Sequence, residues 1–107
     1  MNILVTGGAG YIGSHACLSL LDAGYNITVI DDLSMGYKQL IPNKAEFLKA
    51  NINDNEKLNK LFQKKSFDAL MHFAGFIQVE ESVKLPNKYF NNNTKKSIIL
   101  FENCFKN

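Results

Sequence analysis

Val5-Thr6-Gly7-Gly8-Ala9-Gly10-Tyr11-Ile12-Gly13-Ser14-His15 is the stretch that decides the fold. Before it, Asn2-Ile3-Leu4-Val5-Thr6 reads as a short buried strand. After it, Ala16-Cys17-Leu18-Ser19-Leu20-Leu21 reads as a helix that Gly24 stops. Glycines between a strand and a helix have separate tasks in dinucleotide binding: a tight turn, close approach of backbone to a pyrophosphate, and close packing of helix on strand. The phosphates then sit at the helix N-terminus, where unpaired N–H groups and the macrodipole favour negative charge. Two spacings overlap here, Gly8-x-Gly10-x-x-Gly13 and Gly7-x-x-Gly10-x-x-Gly13. An ordinary strand-to-helix turn is the blander reading, and the flanking elements weigh against it.

A second signal concerns which dinucleotide is held. Asn26-Ile27-Thr28-Val29-Ile30 is a β-branched run that predicts a second strand, ending at Asp31-Asp32. Asp31 follows Gly13 by close to the ~20 residues expected of the acid that holds the adenine ribose. A carboxylate there accepts from the ribose hydroxyls and repels a 2′-phosphate. Recognition of that phosphate calls for a nearby Arg, and the chain has none. The expectation is NAD rather than NADP. The alternative is that the two acids merely open a turn.

Composition excludes several function classes. A net charge of +2, with Lys residues spread along the chain, gives no electrostatic footprint for nucleic acid. No apolar run approaches the ~18 residues of a membrane span, and no signal-peptide pattern precedes the first strand. A cytoplasmic protein is therefore expected. Cys17 and Cys104 have no partner at a metal or redox spacing and read as buried thiols. His15 and His72 lack a companion nucleophile or metal ligand, so packing or hydrogen bonding is expected of both.

Strands and helices continue to alternate. Asp32 to Asn43 is a polar loop that requires no regular element. Ala45 to Lys49 predicts a third strand. Asn53-Asp54-Asn55-Glu56 resembles a capping box before a helix bearing Leu58, Leu61 and Phe62 on one face. Phe67 to Phe73 predicts a fourth strand buried on both faces, turned at its end by Ala74-Gly75. From Pro86 to Phe105 a long helix is expected, with Tyr89, Phe90, Ile98, Ile99, Phe101, Cys104 and Phe105 mostly on its buried side. The fold class is α/β, a Rossmann-like doubly wound parallel sheet of strand order 3-2-1-4 with right-handed crossovers. At 107 residues the chain is expected to be the N-terminal part of such a domain, a truncated product or fragment.

These residues carry a resemblance. The glycine stretch, Asp31-Asp32-Leu33, His72-Phe73-Ala74-Gly75, and the run from Glu81 to Asn93 are similar to the extended short-chain dehydrogenases/reductases of the NAD-dependent epimerase/dehydratase family. Within it they are most like the epimerases that interconvert UDP-glucose and UDP-galactose in galactose metabolism. The resemblance implies that Gly7, Gly10, Tyr11, Ile12 and Gly13 cradle the pyrophosphate, and that Asp31 and Asp32 hold the adenosine ribose. Family members carry an Asp and an aliphatic residue near the adenine. Asn51-Ile52 stands there, and the Asn carbonyl can still accept from the adenine amino group. Phe73, Ala74 and Gly75 would line the NAD channel, and Asn92 would approach the cofactor. Ile77 replaces a Lys frequent in these epimerases.

The family's Ser and Tyr-x-x-x-Lys, which move protons while hydride passes through a 4-keto sugar, are not expected within these residues. No tyrosine here has Lys four positions on. Implied partners are NAD and, in the whole enzyme, a UDP-sugar and a second copy as a homodimer. Another nucleotide-sugar epimerase, dehydratase or decarboxylase, or a non-catalytic NAD-binding module, are the alternatives.

Overall fold

The computed structural model describes residues 1–74 together with Ile98 and Leu100. The expectations for Gly75, Ile77, Glu81–Asn93 including Asn92, and Cys104 lie outside the described residues, as does the expected long helix apart from those two positions.

Four parallel strands run in the order β3-β2-β1-β4: β1 (Asn2–Thr6), β2 (Asn26–Asp31), β3 (Glu46–Lys49) and β4 (Ala69–His72). β1 pairs with β2 from Asn2↔Asn26 to Thr6↔Ile30, and with β4 from Ile3↔Ala69 to Thr6↔His72. Because side chains alternate across a strand, the apolar runs divide between two faces. Ile3, Val5, Ile27 and Val29 join Cys17 on one face, packed by Leu20 and Leu21 of the first helix. Leu4 and Ile30 join Ala50, Ile52, Leu58 and Leu100 on the other, packed by Leu61 and Phe62. Each face receives one helix, α1 (Tyr11–Asp22) or α2 (Asn55–Lys64). That is the doubly wound arrangement, and it leaves the carboxyl ends of all four strands on one edge of the sheet.

Several boundaries differ from expectation. α1 begins at Tyr11, inside the glycine stretch, because Gly10 is its N-cap and Gly13 packs into its first turn. It ends as a Schellman turn: Tyr25 N–H reaches Leu20 O at 3.1 Å and Gly24 N–H reaches Leu21 O at 3.0 Å, with Gly24 at φ +92. The α2 cap is Asp54, which accepts from Lys57 N–H at 3.2 Å, so the expected box led by Asn53 does not form. Asn53 N–H is instead taken by the Asn51 side chain. The loop after β2 contains a 3-10 turn, Lys38–Leu40, that the sequence did not demand.

β4 is shorter than expected and only half-buried, not covered on both faces. Among the described residues it is an edge strand, paired to β1 alone, so one flank and part of each face are open. Ile98, expected on a buried side, is exposed, while its neighbour Leu100 is fully buried. A three-to-four-residue period separates such close positions onto different faces, and Leu100 took the place against α2.

Candidate dinucleotide site

A cavity of about 360 Å³ opens at the carboxyl ends of the strands. Every described residue expected at the site lines it: Gly7, Gly10, Tyr11, Ile12, Gly13, Asp31, Asp32, Asn51, Ile52, Phe73 and Ala74. Ile30, Ser34, Met35, Gly36 and Ala50 line it as well, and sequence reasoning missed these. Ile30 and Ala50 adjoin expected residues and could have been inferred from strand ends. Ser34, Met35 and Gly36 could not, because they reach the cavity only through the folding-back of a polar loop.

The overlapping glycine spacings resolve into different jobs. Gly7 turns the chain at φ +71, a left-handed conformation that favours glycine. A Cβ on Gly13 would lie 2.0 Å from Gly7 O, so helix and loop could not approach as they do. A Cβ on Gly8 would meet the Val29 side chain at 2.6 Å; Gly8 is buried and packs the loop on β2 without lining the cavity. Gly10 differs again, since its Cβ would meet only Gly7 O, at an ordinary 3.4 Å. No side chain caps α1 and its first turn holds no acid. Its terminal N–H groups therefore keep their capacity for an anion.

Asp31 joins three pieces of chain. Its Oδ2 accepts from Ala9 N–H of the glycine loop at 3.0 Å, and its Oδ1 accepts from Leu33 N–H at 2.8 Å. Leu33 is held there at φ +64, a conformation that costs a non-glycine residue roughly 1–2 kcal/mol. The loop after β2 then returns to the glycine loop, where Tyr37 N–H donates to Ala9 O at 3.0 Å. Gly36 lies so close that a Cβ would sit 2.6 Å from the same oxygen. An ionised carboxylate has about four acceptor positions, so Asp31 can bind these two N–H groups and still accept from two hydroxyls.

Beyond Asp31 the cavity continues along the end of β3. Asp32 Oδ1 accepts from Ser34 N–H at 2.9 Å, and its Oδ2 accepts from Asn51 Nδ2 at 3.2 Å. Asn51 Oδ1 accepts from Asn53 N–H at 3.2 Å. The Asn51 carbonyl, expected to face a base, thus already receives a backbone donor. At the other end Phe73 and Ala74 follow β4, and Thr6 positions them. Ala74 N–H donates to Thr6 Oγ1 at 3.3 Å, so the buried Thr6 hydroxyl turns its own hydrogen to His72 Nδ1. Burial lowers the His72 pKa below its usual value and favours the neutral ring this bond needs.

The remaining expectations are structural. His15 is exposed and packs edge-on against Tyr11 one turn earlier, ring centroids 4.7 Å apart. Cys17 is fully buried, and burial pushes its thiol up to about 11, leaving it protonated and inert. Among the described residues, no three His, Cys, Asp or Glu side chains gather as a metal site.

A parallel sheet with strand order 3-2-1-4, a glycine turn into a helix N-terminus and an acid closing the second strand together define a Rossmann-like dinucleotide-binding fold. Comparison with known proteins narrows the class. The model of the NAD dependent epimerase/dehydratase family matches residues 3–107, and the chain belongs to that family. A UDP-glucose 4-epimerase of Azospirillum brasilense is 45% identical, aligned over 97% of this chain and 30% of its own length. UDP-arabinose 4-epimerase 1 of Arabidopsis thaliana is 41% identical, over 94% of this chain and 26% of its own. A crystal structure of UDP-glucose 4-epimerase from Stenotrophomonas maltophila, with bound NAD and formylated UDP-arabinopyranose, superimposes with a TM-score of 0.90 at 38% identity. That alignment covers 96% of this chain and 33% of that one. The chain thus spans less than a third of the length of these curated relatives.

Proposed function

We propose that these residues are the NAD-binding portion of a nucleotide-sugar 4-epimerase that interconverts UDP-glucose and UDP-galactose. One observation carries the reading: the uncapped N-terminus of α1 and the Asp31 carboxylate line the same cavity at the carboxyl ends of the strands. The N–H groups of Tyr11, Ile12 and Gly13 suit a pyrophosphate, and Asp31 suits the ribose hydroxyls next to it. The adenine then lies toward Asp32, Asn51 and Ile52, and the nicotinamide toward Phe73 and Ala74. No cationic side chain lines the cavity among the described residues, which disfavours a 2′-phosphate.

NAD supplies reversible hydride acceptance when bound. The chain's own residues hold the dinucleotide, orient it along the strand ends and exclude water from its buried face. The proton transfers of epimerisation are assigned to none of the described residues. The relatives' names support the UDP-sugar substrate class. The resemblance supports a homodimeric whole enzyme, and a cytoplasmic setting remains part of the same reading. Equilibrium dialysis of the chain against NAD and NADP is the direct test. NAD should bind at least about tenfold more tightly, one carboxylate–phosphate repulsion being worth roughly 1.4 kcal/mol or more. Equal or tighter binding of NADP would overturn the cofactor reading.

A further inference from the structure

The amide of Asn51 has only one orientation open to it, and both of its neighbours set that orientation independently. Asn53 N–H can only donate, so the atom 3.2 Å from it must be the carbonyl oxygen. The Asp32 carboxylate can only accept, so the atom 3.2 Å from its Oδ2 must be the amide nitrogen. Reversing the amide would set donor against donor at one end and acceptor against acceptor at the other. Asp32 lines the cavity and Asn53 does not. The end of the amide on the cavity side is therefore the NH2 group, and one of its two hydrogens remains after the bond to Asp32.

We infer that Asn51 reads the purine of the dinucleotide as a hydrogen-bond donor, and that the site consequently accepts a 6-oxo purine about as well as a 6-amino one. The inference rests on the dinucleotide reading of the cavity, which puts the base beyond Asp31 at the end of β3. Adenine offers its ring nitrogens to such a donor, and hypoxanthine offers its 6-oxo oxygen and N7. An acceptor in the same place would select the 6-amino group and repel the 6-oxo oxygen. Asn51 is thus a specificity-determining residue whose polarity is set by Asp32.

The test is equilibrium binding of NAD and of nicotinamide hypoxanthine dinucleotide to the full chain, with wild type, Asn51→Ala and Asn51→Asp compared. The wild type should bind the two within about threefold of one another. Rejection of the hypoxanthine dinucleotide by tenfold or more would overturn the inference while leaving the dinucleotide reading intact. Asn51→Ala should weaken both ligands severalfold, and unchanged affinities would show that Asn51 does not touch the base. Asn51→Asp reverses the polarity and should move the ratio about tenfold toward NAD; an unmoved ratio would count against the donor role. The wild-type ratio needs no variant to fold. Failure of both dinucleotides to bind would overturn the site assignment itself, an outcome separable from a wrong ratio.

Discussion

The glycine-loop side of the cavity and its β3 side are built by different means. On the first, the glycines act through missing side chains: at Gly7 and Gly13 backbone meets backbone at distances no Cβ permits, Gly8 makes room for the Val29 side chain, and Gly10 stays open. On the second, Asp32 and Asn51 act through side chains they have, in a chain of three hydrogen bonds that runs from Ser34 N–H to Asn53 N–H. Asp31 belongs to both, since it accepts from Ala9 of the loop and from Leu33 beyond β2. A site built on absence tolerates almost no substitution. A site built on polar pairs tolerates substitution and changes what it recognises.

The sharpest break of that contrast sets Gly13 against Gly10. Gly13→Ala forces a methyl to within 2.0 Å of a backbone oxygen, and either helix or loop must move. A loss of about 3 kcal/mol or more in unfolding free energy is expected, read by urea denaturation. Gly10→Ala meets only an ordinary 3.4 Å contact at φ −81 and should change stability by less than about 1 kcal/mol. It should nevertheless weaken NAD binding, because its methyl lies where backbone must approach the pyrophosphate. Equal destabilisation by the two would dissolve the division of labour among the glycines.

Asp31→Asn probes the residue shared by both sides. An amide has one acceptor oxygen, so it can serve Ala9 N–H or Leu33 N–H but not both, and its NH2 group faces the donor left over. A loss of about 1–3 kcal/mol is expected in the absence of any ligand. Preference for NAD over NADP should fall in the same variant. Unchanged stability of the free chain would mean that the carboxylate serves the ligand alone.

The smallest effect is expected at the β4 end, where His72 is only half-buried. Its folded pKa lies below the ordinary 6.5, so the unfolded chain takes up the proton first as pH falls. Stability contributed by the neutral ring is complete above about pH 6.5. It declines as pH drops from there through the lowered folded pKa, and then levels. Thermal unfolding between pH 8 and 5 should show this acid limb. His72→Asn places an uncharged acceptor near the Nδ1 position and should flatten it. A limb that persists in the variant would assign the titration to another group.

How much of this was legible beforehand depended on whether neighbours in space were neighbours in sequence. The alternation of apolar runs with helical periods predicted the strands, the two-faced core and the order β3-β2-β1-β4, because each follows from local spacing and the handedness of crossovers. The glycine spacing and the acid closing β2 pointed to Gly7, Gly10, Gly13 and Asp31, and the family resemblance implied Tyr11, Ile12, Asp32, Asn51, Ile52, Phe73 and Ala74. Ile30 and Ala50 at neighbouring strand ends were missed. The offset start of α1 and the cap at Asp54 were not legible. Each is decided by a contact that competes with the local signal.

Sequence by itself determined the class of the molecule: a parallel α/β sheet, a glycine turn feeding a helix, and an acid placed to favour an unphosphorylated ribose. Those properties need only residue types at fixed spacings along one βαβ unit. Tertiary structure alone decided that Gly8 serves Val29 while Gly7, Gly10 and Gly13 serve the cavity. It also brought Ser34, Met35 and Gly36 back over the glycine loop, and turned the Asn51 amide so that its NH2 group lies on the cavity side. The physical reason is the same in each case. A hydrogen-bond polarity or a van der Waals limit is set by the atom across the gap, and that atom lies some 20 positions away along the chain for Gly8 against Val29 and for Asp32 against Asn51.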